Sequence, residues 1–155
     1  MFTRRMQHTV SFAASRGVAF DYVTTPGSWP KWYPATVSVE GQTSRPAEKG
    51  DRIVDRVRKL GIAGSLHWVV LDSQRPTHFS METTSIDMAV FRRGRMRIRY
   101  EFEATGETSS MVRTLEYDLP SSLWLLDRVH LHRDLRSEAT HALGKLQVLV
   151  QRGTP

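Results

Sequence analysis

The sequence contains no cysteine. That excludes a disulfide framework and every thiolate metal site, and it fits a reducing compartment. Long apolar runs are missing too: nothing approaches the eighteen or so consecutive apolar residues of a membrane span. The basic start, Met1 to Arg5, leads into a polar, alternating stretch rather than the apolar core of a signal peptide. The expected setting is therefore the cytoplasm. There is no internal repeat, no low-complexity tract, no phosphate-cradling glycine loop and no nucleophile elbow. His8, His67, His78, His130, His132 and His141 are scattered, without the H-x-x-x-H spacing that puts two imidazoles on one helix face. Neither a metal site nor a cofactor is expected.

What is present fits one globular domain over residues 1–155. A chain of this size buries about 68–70% of its unfolded surface, enough for a real core. The formal charge of +6 favours an anionic partner such as nucleic acid, a membrane surface or an acidic ligand, and says nothing about fold. The sequence leaves a homodimer open.

Loose alternation over 5–13 reads as a first strand. Ser15 caps a short helix over 16–24, stopped by Pro26-Gly27-Ser28. The prolines of Trp29-Pro30-Lys31-Trp32-Tyr33-Pro34 limit the next segment to a turn or so of helix. Val37 and Val39 mark a short strand, followed by a polar loop to Gly50. Asp51–Leu60, a Gly61–Gly64 turn and Ser65–Asp72 read as a hairpin. Arg75-Pro76 is a turn, and His78–Thr84 alternates again. Ile86–Phe91 is apolar and ambiguous. The clearest strand is 95–104, with Met96, Ile98, Tyr100 and Phe102 on one face and charges on the other, so one face is buried and one solvated. A last strand covers 110–119. Ser121 or Ser122 then caps a helix running toward Gly153, with Leu135, Ala139, Ala142, Leu143, Leu146 and Val150 as its apolar stripe. Thirty residues span roughly 45 Å, enough to cross a small domain.

The order is strand, two short helices, six strands, long helix. With Phe20-Asp21-Tyr22-Val23 before Trp29-Pro30-Lys31-Trp32-Tyr33-Pro34, Gly50-Asp51-Arg52 opening the third strand, and Leu115-Glu116-Tyr117-Asp118-Leu119-Pro120 entering the last helix, it resembles the helix-grip fold of the START-like superfamily. That superfamily is also called SRPBCC, the polyketide cyclase/dehydrase and lipid-transport type. The resemblance covers nearly the whole chain. It implies an α+β fold in which a curved antiparallel sheet of about seven strands grips the C-terminal helix. It also implies a cavity between sheet and helix for a hydrophobic small molecule, either bound and carried or cyclised and dehydrated there.

On that fold the cavity lining is expected from Trp32, Tyr33, Trp68, Phe79, Met81, Ile98, Tyr100, Phe102, Leu135 and Ala139. Each of these also serves as plain core. A buried Tyr100 phenol needs a hydrogen-bond partner, and a ligand oxygen is one option. The third strand puts Ile53, Asp55 and Val57 on one face and Val54, Arg56 and Arg58 on the other, so a charge points inward unless it lies at a wet edge, the plainer reading. In the last strand Val112 and Leu115 differ in parity, implying a bulge or opposite burial at the two ends. Without a bulge Glu116 points to the cavity; the default is a Glu116 facing arginines outside. The catalytic candidates are His132, Glu116, Asp55 and Tyr100. Arg92, Arg93, Arg95, Arg97, Arg99 and Arg113 read as a basic stripe on the outer sheet face. It lacks interleaved exposed aromatics, which argues against single-stranded nucleic acid and for pairing with glutamates.

Overall fold

The computed structural model describes residues 1–152. Seven antiparallel strands form one sheet in the order β1-β7-β6-β5-β4-β3-β2. They are β1 (Phe2–Phe12), β2 (Thr36–Gly41), β3 (Arg52–Lys59), β4 (Ile62–Gln74), β5 (His78–Asp87), β6 (Arg95–Thr105) and β7 (Thr108–Leu119). Between β1 and β2 lie α1 (Arg16–Thr24) and α2 (Trp29–Trp32). Ser15 caps α1, its hydroxyl accepting from the Val18 amide at 3.3 Å.

Two register breaks in the β4–β5 ladder, at His67/Trp68 and Val70/Asp72, bend the middle of the sheet. Such bulges increase local twist and curvature, and here they give the sheet its concave face. The β3–β4 hairpin turns on Leu60 and Gly61 (φ 51° and 76°), so Gly64 lies in β4 and not in the turn expected at 61–64. Gly64 is needed there because a Cβ would stand 2.5 Å from the Asp87 carbonyl oxygen.

The C-terminal helical run departs from the expected uniform rod. A 3₁₀ turn at Ser121–Leu123 leads into α3 (Trp124–Leu126), then a π turn at Asp127–Leu131, then α4 (His132–Arg152). Neither Ser121 nor Ser122 caps it: Pro120 occupies the cap position and no side chain bonds the first amides. The expected stop at Gly153 lies outside the described residues. The expected stripe does face the sheet, with Ala139, Leu146 and Val150 at most 1% exposed.

The π turn has a tertiary cause. It carries Asp127 inward, fully buried, where one carboxylate oxygen accepts from Arg4 Nε at 2.8 Å and the other from the Tyr117 hydroxyl at 2.5 Å. The helix start is thereby pinned to β1 and β7. Arg4→Ala would leave one oxygen of that buried carboxylate without its donor and is expected to lower the unfolding free energy by about 1–3 kcal/mol. Arg5→Ala, which removes an exposed contact 3.7 Å from Glu116, should change it by less than about 1 kcal/mol. Urea unfolding of both variants checks this; equal losses would refute the pinning role.

A candidate ligand cavity between sheet and helix

Backbone pairing of β5 with β6 stops at Glu82↔Arg97, where the Thr83 hydroxyl takes over by accepting from the Met96 amide at 2.9 Å. Arg95 is exposed and Gly94 and Met96 half-buried at this end, which is the mouth of a cavity that runs inward beneath the helix. Met88, Phe91, Gly94, Arg95 and Met96 line this end, facing Asp118, Leu119 and Leu131. Deeper in, the walls are Trp29, Trp32 and Tyr33 from the α2 region, Leu66 and Trp68 from β4, Met81 and Ile86 from β5, Ile98 and Tyr100 from β6, and Leu135 from α4. The cavity volume is about 90 Å³, a narrow slot.

The tryptophans present apolar faces because their N–H groups are engaged elsewhere. Trp29 Nε1 donates to the Val23 carbonyl at 2.9 Å, and Trp32 Nε1 to Ser28 Oγ at 3.2 Å. Tyr33 meets the Trp32 ring edge-on, with centroids 5.9 Å apart.

One wall is polar. Asp55, 6% exposed, accepts from Trp68 Nε1 at 3.3 Å through one oxygen; its other oxygen is buried with no partner. Burial pushes its carboxyl up to about 7, against the hydrogen bonds from Thr36 and Trp68, and Glu138 nearby adds to the rise. Lys59 Nζ bonds Glu138 and, at 2.7 Å, Asp134, tying β3 to α4 across the cavity. Behind Tyr33 and Tyr100 lies Arg113, 1% exposed. Its Nη2 donates to the Tyr33 hydroxyl at 3.2 Å, while Nε and Nη1 are buried without partners. Burial works against the guanidinium's charge, but Tyr33, Tyr100 and Glu138 hold it and the net direction of its pKa is up. Burial likewise raises both phenols, with Arg113 opposing, so they remain protonated donors.

The sequence-derived candidates sort cleanly. Trp32, Tyr33, Trp68, Met81, Ile98, Tyr100 and Leu135 line the cavity. Phe79, Phe102 and Ala139 do not: they fill solid core, with Phe79 stacked on Tyr100 at 6.1 Å and Phe102 meeting Phe20 edge-on at 5.3 Å. Asp55 points inward, so the wet-edge reading of β3 is corrected. The β7 register runs unbroken against both β1 and β6. There is no bulge, yet Glu116 still faces outward, because Met111, Arg113, Leu115, Tyr117 and Leu119 form the inner row and Val112 is the outlier. Arg113 therefore leaves the outer basic stripe. Of the rest, Arg95 and Arg97 both bond Glu82, at 2.8 and 3.0 Å. His132 lies outside the cavity, its Nδ1 3.0 Å from the Tyr117 hydroxyl that bonds Asp127.

Sequence reasoning missed Lys59, Glu138 and Arg113. The signal existed for each. Lys59 shares parity with Ile53, Asp55 and Val57; Arg113 shares it with Leu115 and Tyr117. Glu138 follows Leu131 and Leu135 at helical spacing.

The model of the family described as polyketide cyclase / dehydrase and lipid transport matches residues 3–151. The chain belongs to that family. The match spans both the cavity and the helix that closes it, so the family's architecture is present in full. Among solved structures, the Zhui aromatase/cyclase from a Streptomyces species superposes with a TM-score of 0.78 at 14% identity, covering 99% of this chain and 97% of that one. A Thermus thermophilus protein gives 0.78 at 14%, covering 98% and 100%. A START superfamily protein from Mycobacterium smegmatis gives 0.71 at 16%, covering 97% and 99%. At such identities these likenesses establish the helix-grip fold of the family member, and only that. No curated protein sequence matches it.

Proposed function

We propose that this family member binds an apolar or aromatic small molecule, lipid- or polyketide-like, in the cavity between sheet and C-terminal helix. The carrying observation is a lining of indole, phenol and aliphatic groups broken by a polar wall of Asp55, Lys59 and Glu138, with Arg95 and Asp118 at the mouth. That is the composition of a small-molecule site, with apolar burial for affinity and a few polar groups for orientation. Asp55 and Tyr100 are the groups that would orient the ligand. A cytoplasmic setting fits the same reading.

The test is optical. Trp29, Trp32 and Trp68 all line the cavity, so a planar aromatic such as a naphthol is expected to quench their emission, saturating at one molecule per chain. Native mass spectrometry of the protein as purified should release a small apolar molecule on denaturation. An empty protein that no aromatic or fatty acid quenches would end this reading.

One observation favours a second reading, catalysis of the cyclase or dehydratase type. A cavity-facing carboxyl titrating near neutrality, in the same slot as a protonated phenol, suits an acid–base step on a bound carbonyl compound. It predicts that Asp55→Asn abolishes turnover of such a compound while leaving its binding intact.

A further inference from the structure

The end of the sheet that holds the cavity mouth also carries exposed apolar side chains. β5 ends there and β6 begins there, with Arg95 opposite Asp118. β7 ends there, and its Leu119 side chain would stand 3.2 Å from a Cβ placed on Gly94. Two short connections leave this end, one on each side of the mouth. The first is the 3₁₀ turn Ala89–Phe91, which sends Phe91 into the cavity wall and leaves Val90 52% exposed. Ala89 sits at φ 28°, a shape an L residue rarely adopts. The second is the start of the C-terminal helical run, where Trp124, Leu125 and Val129 are 46%, 64% and 49% exposed. Leucine and tryptophan side chains left in water beside an apolar cavity call for an explanation.

Charge narrows the explanation. Arg92 and Arg93 follow Phe91, one residue after Val90, and are exposed; Arg128 lies over the Trp124 ring at 5.2 Å. Arg93 and Arg128 have no ion-pair partner among the described residues, and Arg92 has only Asp87, itself 70% exposed, at 3.5 Å. The outer-face arginines Arg95 and Arg97, by contrast, are held by Glu82. Positive charge available to an anionic surface therefore stands beside the apolar side chains.

We propose that this rim docks on an anionic lipid bilayer, with the cavity mouth facing the membrane. Trp124, Leu125, Val129 and Val90 enter the interface, and Arg92, Arg93 and Arg128 contact the headgroups. A bilayer fits better than a protein partner because the apolar residues stand on two separate projections flanking an opening. The surface depression beside Ala89 and Arg92 includes none of these four side chains and is walled by Arg56, Arg58, Ser65 and Asp87. A fluid surface meets both projections at once, and an indole paired with a guanidinium matches the headgroup boundary, where one end of a side chain is apolar and the other wet. No helix among the described residues is long and apolar enough to cross a membrane, so the contact is peripheral.

The chain carries its own reporter. Trp29, Trp32 and Trp68 are at most 4% exposed, and Trp124 is the exposed tryptophan. Phosphatidylcholine vesicles with about one-third phosphatidylglycerol are expected to sediment the protein and shift its emission to the blue. Pure phosphatidylcholine should do neither, and high salt should reverse both effects. Trp124→Phe should keep the binding and lose the emission shift. Leu125→Ser with Val129→Ser, and separately Arg92→Glu with Arg93→Glu, should each weaken binding by at least about tenfold with thermal unfolding unchanged. Equal binding to both vesicle types, an emission shift that survives Trp124→Phe, or the serine pair binding normally would overturn the proposal. So would failure to bind any vesicle, the result expected if a protein or a second copy covers the rim. None of these readouts depends on a cavity ligand, so the cavity assignment stands or falls separately.

Discussion

Between about pH 4 and about pH 8 the wild-type protein is expected to lose about 4 kcal/mol of unfolding free energy relative to Asp55→Asn. The cause is the carboxyl buried against Trp68 in the cavity wall. In the unfolded chain it gives up its proton near the ordinary value of 3.8; in the folded chain it keeps the proton until about 7. Across that interval the native state holds one more proton than the unfolded state, so each rise in pH favours unfolding. Below the interval both states are protonated and Asp55 contributes nothing. Above it the penalty is constant. Glu40, Asp51 and Glu82 are shifted the other way by arginine partners, and they cancel when the variant is subtracted. His8 is held below its ordinary value by burial and by Arg113 and Arg136; it works against the trend and cancels likewise. Urea titrations of both proteins across the range provide the measurement. Parallel curves would mean that Asp55 is solvated in the folded protein, and the polar wall would lose its central member.

The same carboxyl shows why such a site tolerates an unfavourable group. An isolated buried carboxylate with a free oxygen is destabilising unless something donates to it. A ligand hydroxyl placed there would supply the donor, and binding would then pull the Asp55 pKa down. Proton release on ligand binding near neutral pH is the thermodynamic counterpart of the stability curve.

Architecture was readable from the sequence because it is written in repeated signals. The period of two in β6 survives over four inward residues, and the helix stripe recurs through Val150. Single side chains were harder to place. Val112 is an apolar residue on the wet face, and its parity clash with Leu115 left a bulge open, although the default of an outward Glu116 agrees with the inward row of Met111, Leu115, Tyr117 and Leu119. Arg113 was assigned outward, since charge is ordinarily a solvent signal. Its parity with Leu115 and Tyr117 marked the inner face, but the partner that receives it there, Tyr33, lies eighty positions away. The π turn was unreadable in the same way: it exists because Asp127 meets Arg4 and Tyr117, contacts made by tertiary structure and not by helix propensity. Phe79, Phe102 and Ala139 have the right parity for the cavity but sit where the sheet is fully paired and the space is filled. Parity fixes a face; where along that face a void opens is decided by packing between distant elements.

That distinction between filled and open stretches of one face leads to a paired test on the helix. Leu146 is 0% exposed and packed on all sides. Leu146→Ala removes its contacts and leaves a hole, which is expected to lower the unfolding free energy by about 3–5 kcal/mol and the melting temperature by roughly 10 °C for a chain of this size. Leu135 is 5% exposed yet borders the cavity, so part of its surface already faces empty space. With fewer neighbours to lose, Leu135→Ala should fall at about 2 kcal/mol, the low end for such a change. The order reverses for ligand binding. Leu135→Ala alters the slot itself and should change naphthol affinity severalfold, whereas Leu146→Ala, outside the lining, should leave the affinity of the folded fraction as it was. Calorimetric melting and fluorescence titration on the same two variants separate the effects. If both variants lose the same stability and the same affinity, the cavity is not the discrete void between β5, β6 and the helix described above, and the site must be sought elsewhere on the molecule.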